Sequence, residues 1–344
     1  MGILFGTTTS RLRRGAPIAA ALAALLLAGC GSSTTAPTTT TGTPPSPSSP
    51  PSPSSPSPSQ ATAPSAVTPP NVPATGAYLG AWLHPVAAGS GSAFAVEQAT
   101  IPTVVAATGR PLGLLHIYAP WARPAPVVSL RAVAAAGSTP LLDWGCGPDV
   151  ATLSSGADDT LISRYASTLR AYAAPVLLRW CWEMNLAGHA QLGGPADFTS
   201  AWSHIRTLFR RAGATNVAFV WCPGLAGVDP RPYFPGVDQV DWIGVDGYDR
   251  DGTQTFASLF APFYRTWVGA GKPMMVAETG AAGAAQTSFI DSIGTGAPTL
   301  PAMKAVVYFD APGPHGMWQF TPAGLATFAR LAGQPYFQPQ GVKP

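Results

Sequence analysis

Pro175-Val-Leu-Leu-Arg-Trp-Cys-Trp-Glu-Met-Asn185 is a largely apolar run that opens on a proline, carries one arginine and reaches a glutamate two residues before its end. Lys272-Pro-Met-Met-Val-Ala-Glu-Thr-Gly280 repeats the plan further along. Continuous rather than alternating runs suit parallel strands buried on both faces, and proline is tolerated where a strand begins. Working outward, the same signal recurs at Tyr78–His84, Pro111–Tyr118, Pro140–Trp144, Pro175–Trp182, Asn216–Trp221, Val240–Gly247, Pro273–Ala277 and Met303–Phe309. Stretches of helical spacing lie between them. Leu161–Ala173 aligns Leu161, Ile162, Tyr165, Leu169 and Tyr172 on one stripe, and Phe198–Ala212 aligns Phe198, Trp202, Ile205, Leu208 and Phe209. Pro322–Leu331 does the same after the last run, whereas Phe94, Val96 and Val104-Val105 give only a broken stripe between the first two. Strand–helix alternation repeated eight times predicts a parallel (β/α)₈ barrel. An open doubly wound sheet is the rival, but His84-Pro85 follows the first run in place of a glycine-rich turn.

The ends of the chain read differently. Arg11, Arg13 and Arg14 precede an apolar run from Ala19 to Ala28, too short to span a bilayer at about 20 residues. It ends in Leu27-Ala28-Gly29-Cys30, which resembles the lipobox of bacterial lipoproteins. That resemblance implies lipidation of Cys30, a signal peptide over 1–30, and anchorage on the outer face of a cell membrane. Residues 31–75 are almost wholly Ser, Thr, Pro, Ala and Gly, a composition that cannot bury enough apolar surface to order itself. It reads as a stalk. Residues 76–344 remain for the folded domain, close to the roughly 250 typical of the barrel.

Only 10% of the residues are charged and the formal net charge is +3, part of it in the leader. Clustered Lys and Arg are lacking, which argues against a nucleic-acid partner. After Cys30 the cysteines are Cys146, Cys181 and Cys222, enough for one intramolecular bridge, between neighbouring strands, in an oxidising compartment. Histidines are scattered and no CxxC occurs, so neither a metal nor a cofactor is expected. The domain is expected to be monomeric.

Glu183 and Glu278 close apolar runs four and seven. The C-terminal rim of such a barrel is where its chemistry is built, and a carboxylate there is costly unless used or paired. Two carboxyls facing each other across a barrel mouth are the equipment of glycoside hydrolysis.

Taken in order, Arg179-Trp-Cys-Trp-Glu183-Met-Asn, Val217-Ala-Phe-Val-Trp-Cys-Pro223, Asp241-Trp-Ile-Gly-Val-Asp-Gly-Tyr248 and Val276-Ala-Glu-Thr-Gly280 resemble motifs of glycoside hydrolase family 26. The resemblance runs from about Gly76 to Leu331. It implies a retaining β-glycanase acting on a neutral polysaccharide, β-mannan-like or another β-glycan. Glu183 matches the acid/base, Glu278 the nucleophile, Arg179 a supporting arginine and Tyr248 the tyrosine that bonds the nucleophile. Trp180, Cys181 and Trp182 are candidate apolar walls for the acid.

Two departures stand out. Trp182 occupies the position where the family usually carries histidine, and Leu186-Ala-Gly-His-Ala-Gln191 replaces its Gly-x-Trp-type sugar platform. A glycan-binding barrel without activity, and a hydrolase of a related family acting on cell-wall glycan, are the alternatives. Asp246 is expected to bond backbone or Arg179, with substrate contact the lesser reading. His84 and Tyr118 are candidate ligand contacts at strand ends. Trp318, in Pro314-His-Gly-Met-Trp318, is the candidate stacking platform.

Overall fold

A computed structural model describes residues 72–83, 93–187, 193–313 and 316–337, without the side chains of 93–100, 312–313 and 316–317. Cys30, His84 and nearly all of the proposed stalk lie outside the described residues. Eight parallel strands close into a barrel in sequence order, and the last pairs with the first, from Tyr78 opposite Ala305 to Leu83 opposite Asp310. The strands are β1 (Tyr78–Leu83), β2 (Leu114–Ala119), β3 (Thr139–Trp144), β4 (Val176–Trp180), β5 (Val217–Trp221), β6 (Trp242–Asp249), β7 (Met274–Ala281) and β8 (Met303–Asp310). Around them run α1 (Ala93–Thr108), α2 (Val127–Ala135), α3 (Val150–Leu153), α4 (Asp159–Tyr172), α5 (Pro195–Ala212), α6 (Phe256–Trp267), α7 (Gln286–Gly296) and α8 (Pro322–Ala332). The broken stripe before β2 is a helix after all, α1, with Pro102 inside it and Ile101 and Val104 buried. No helix among the described residues is long and apolar enough to cross a membrane.

Strict strand–helix alternation fails once. Between β5 and β6 the chain makes only short 3₁₀ turns, Arg231–Tyr233 and Val237–Gln239. Pro223, Pro230, Pro232 and Pro235, interleaved with Gly224, Gly227 and Gly236, explain it. Each proline removes a backbone donor and each glycine raises the entropic cost of a helix.

Two apolar cores follow from the two-residue period of a strand. Leu114, Leu141, Leu177, Ala218, Val220, Trp242, Met275, Ala277, Ala305 and Val307 pack inside the barrel. Their sequence neighbours, among them Leu115, Leu142, Leu178, Phe219, Ile243, Val276 and Val306, pack outward under the helices. Continuing the inward parity toward the C-terminal rim places Trp82, His116, Tyr118, Asp143, Arg179, Cys222, Asp246 and Tyr248 on the interior side. The period that buries the barrel floor thus also assembles its polar mouth.

Strand β7 breaks the rule. Its Val276 is opposite Val245 and Val306, but the next pairs are Glu278 with Asp246 and Thr279 with Tyr308. One extra residue has entered β7 on both sides. Met275 and Ala277 face inward, so simple alternation would send Glu278 outward. The bulge resets the parity and turns Glu278 into the mouth.

Candidate active site

Arg179 is the centre of the mouth. Its side chain is fully buried, an expensive placement unless every donor is used. Nε donates to Asp143 Oδ1 at 2.7 Å and Nη2 donates to Asp143 Oδ2, so this pair is bidentate. Nη1 donates to Asp246 at 2.6 Å, and Nη2 also reaches Glu278 Oε1. His116 Nε2 lies 2.7 Å from Asp143 Oδ2 and completes that acid's shell. His116, Asp143 and Glu278 converge as three metal-type donors would, but Arg179 Nη2 is within hydrogen-bonding reach of all three. The guanidinium holds the place a cation would take.

One guanidinium shared by Asp143, Asp246 and Glu278 cannot satisfy them equally. Burial works to raise the Asp143 carboxyl, yet Arg179 and His116 outweigh it and hold that group below its usual range. For Asp246 the balance reverses. Burial dominates, Glu278, Glu183 and Asp143 add repulsion, and its carboxyl is pushed well above the usual range despite the contact with Arg179. Cys222, whose Sγ is 3.2 Å from Asp246 Oδ1, is a buried free thiol raised by burial first and by Asp246 second. Arg179 itself loses to burial but gains more from the carboxylates, and its own value is raised.

Glu278 accepts from both sides. Tyr118 donates to Oε1 at 2.7 Å and Tyr248 donates to Oε2 at 2.5 Å. With Arg179 these donors hold the carboxyl in one orientation at the mouth. Burial and the adjacent Glu278 raise both phenols, so each remains a donor at neutral pH.

Glu183 reaches the mouth by a different route. Strand β4 ends at Trp180, and the chain then takes left-handed backbone at Cys181 (φ 50°) and Glu183 (φ 54°). Such positions cost non-glycine residues about 1–3 kcal/mol each and persist where the surroundings over-determine them. Cys181 N–H donates to Trp144 O at 3.0 Å and Glu183 N–H to Cys222 O at 2.8 Å. A disulfide joins Cys181 to Cys146, with Cα atoms 4.2 Å apart. Asn185 bonds the backbone of Gly224 from both ends of its amide. Burial first and Glu278 second raise the Glu183 carboxyl to about 7, against smaller opposing effects of Arg179 and Arg250. A group so poised is a proton donor at neutral pH.

The walls differ from the expected ones. Trp180 points out of the barrel, stacked on Phe198 at 5.4 Å, and does not line the Glu183 carboxyl. Gly224 and Leu186 do so instead: a Cβ on Gly224 would meet Glu183 Oε1 and Leu186 Cδ2, both at 3.1 Å. Trp182 is half-buried, its ring 5.5 Å from the Arg179 guanidinium and 5.2 Å from Tyr118. Trp318 is not an open platform. It is 2% exposed and stacks on Tyr248 at 4.7 Å, because the β8–α8 segment folds it over Gly280 of β7. Trp121, Trp144 and Trp221 are core residues. Half-buried rings at the mouth come instead from Trp82, Tyr118, Trp182, Tyr248 and Phe309, with Trp82 stacked on Phe309 at 4.8 Å.

His116, Asp143 and Cys222 were not singled out as site residues from the sequence, although a signal existed. Each polar group falls at the same parity as an inward apolar residue two positions earlier, Leu114, Leu141 and Val220.

No protein-family model matches the chain. Among solved structures, a GH26 β-mannanase from Bacteroides ovatus superposes with a TM-score of 0.56 at 14% identity, covering 76% of this chain and 90% of that one. A modular endo-β-1,4-mannanase from Cellulomonas fimi gives 0.57 at 16% identity, covering 76% and 71%. Identities this low establish the shared fold. Endoglucanase H of Acetivibrio thermocellus is 27% identical in a 191-position alignment that covers 49% of this chain and 21% of that protein. The chain therefore spans about a fifth of that relative's length.

Proposed function

We propose that this chain is a retaining β-glycoside hydrolase of the family 26 type, cleaving a neutral β-linked polysaccharide. The observation that carries the reading is the pairing of Glu183, raised to about 7 by burial and by Glu278, with a Glu278 held by Tyr118, Tyr248 and Arg179. In the first step Glu183 gives its proton to the glycosidic oxygen as that bond to the anomeric carbon breaks. Glu278 attacks the same carbon from the opposite face and forms a glycosyl ester. In the second step the ionised Glu183 takes a proton from water, whose oxygen displaces Glu278, and the anomer is retained. Tyr118 and Tyr248 orient the nucleophile, and Arg179 faces the Glu278 charge that is lost as the ester forms and regained as it breaks. The half-buried rings at the mouth offer apolar faces to a neutral sugar. The mannanases and the endoglucanase among the similar proteins support a β-linked glycan.

Cys30 is proposed as the lipidated first residue of the mature protein, with residues 31–75 as the tether that holds the barrel outside the membrane. Incubating the full chain with β-mannans, β-glucans and xylans tests the enzymatic reading. Reducing ends should appear on at least one, and Glu183→Gln should abolish them; no product from any of these glycans would refute it.

A further inference from the structure

The turn that carries Glu183 is held from opposite sides. Toward β5 it is tied by Glu183 N–H to Cys222 O and by Asn185 to Gly224. Toward β3 it is tied at Cys181, by its N–H to Trp144 O and by the bond to Cys146. The β3 side is a rigid anchor. Gly147, next to Cys146, has φ 95° and lies so close to Trp121 that a Cβ would be 3.3 Å from the ring, and Trp121 stacks on Trp144 at 4.2 Å. Cys181 is fully buried and left-handed, and has no flexible or polar side chain with which to hold that conformation. The next two residues are Trp182, which touches Arg179 and Tyr118, and Glu183, again left-handed. A relaxation at Cys181 therefore swings both of them.

We propose that the Cys146–Cys181 disulfide is the positioning device of the acid/base, so that hydrolysis depends on this bond being oxidised. Neither cysteine touches the reacting atoms. They act through the turn, clamping it to the Trp121–Trp144 stack while β5 holds its other end. The inference rests on the proposed role of Glu183, but its central consequence can be read without turnover. Released from its niche against Gly224, Leu186 and Glu278, the Glu183 carboxyl gains water and loses the causes that raise it.

The sequence makes the measurement practical, because its glutamates are only Glu97, Glu183 and Glu278. The full chain, labelled with ¹³C at the glutamate carboxyl, is titrated by NMR, and Glu183→Gln identifies the signal. A dithiol then supplies two electrons and two protons, leaving Cys146 and Cys181 as thiols and itself as a cyclic disulfide. Cys146→Ser gives the same break genetically, and circular dichroism reports whether the fold persists.

In the oxidised chain the Glu183 signal should titrate near 7, and in the reduced, folded chain at least about one unit lower. Hydrolysis of polysaccharide should fall by about tenfold to a hundredfold, the range for a misplaced catalytic group. In kcat/KM, which reports the first step, a substrate with an activated aryl leaving group, which needs no proton there, should lose far less. An unchanged midpoint and unchanged rates overturn the proposal, as does global unfolding on reduction, which would make the bond a staple of the fold. A midpoint that shifts in a chain that cleaves no glycan would uphold the clamp and sink the hydrolase reading instead.

Discussion

Replacing Arg179 with methionine is the most demanding test of the buried charge network. The substitution keeps an unbranched side chain of similar length but deletes the cation that contacts Asp143, Asp246 and Glu278 together. All of these side chains are at most 5% exposed, so water cannot substitute for it. Removing one partner of a buried ion pair costs about 3–5 kcal/mol, a large share of the roughly 5–15 kcal/mol by which a domain is stable. The sign of the pH dependence follows from Asp143. In the native protein its lowered carboxyl contributes stability that is present above the unfolded value of about 3.9 and lost as pH falls through the folded value. In the variant only His116 is left to oppose burial at that carboxyl, which rises, so folding is penalised above about 3.9 and the penalty fades as pH falls. Urea unfolding followed by tryptophan fluorescence should therefore show the widest stability gap between native and variant near pH 7, narrowing toward pH 4. A gap below about 1 kcal/mol at pH 7, or one that does not narrow on acidification, would refute the reasoning.

Three further outcomes are expected. Activity on polysaccharide should fall as pH rises through about 7, because Glu183 must be protonated to assist departure of the leaving group; kcat/KM for a substrate with an activated leaving group, which needs no such proton, should lack that limb. Glu278→Ala should lose nearly all activity and be rescued by azide with inversion, whereas Glu183→Ala should be rescued with retention on activated substrates; identical behaviour of the pair would mean the roles are reversed or absent. Cys30→Ser should move the protein from the membrane fraction to the soluble one, and continued association with membranes would count against the lipobox.

Much of the architecture was legible in the chain. Apolar runs beginning at proline and ending at the rim identified the barrel strands because a strand buried on both faces has no solvent side to mark with polar residues. Glu183, Glu278 and Tyr118 stood out by the same logic, as polar groups at the ends of runs that otherwise exclude them, whereas Arg179 and Tyr248 came from the resemblance to family 26. The partnership of Cys146 with Cys181 was already restricted by their places on neighbouring strands, but the choice against Cys222 needed coordinates.

What only the tertiary structure decided has a common cause, namely that local periodicity carries no record of contacts made across the barrel. Two-residue alternation points Glu278 away from the mouth, and an extra residue in β7, visible only against β6 and β8, turns it inward. Trp318 sits on a glycine-flanked segment that suggests exposure, yet its burial is settled by Tyr248 of a distant strand. Trp180 and Trp182 flank the same cysteine and read alike, but the left-handed turn at Cys181 leaves one in the outer core and carries the other to the mouth. Asp143 and Asp246 are both buried aspartates bound to Arg179, and their opposite shifts arise from His116 beside one and from burial with carboxylate repulsion at the other. The sequence by itself determined which residues form the barrel and which polar groups arrive at its rim. Which of them meet, and in what state of charge, was decided by the closure of the sheet, because a charge in a low-dielectric interior is governed by neighbours that sequence distance does not reveal.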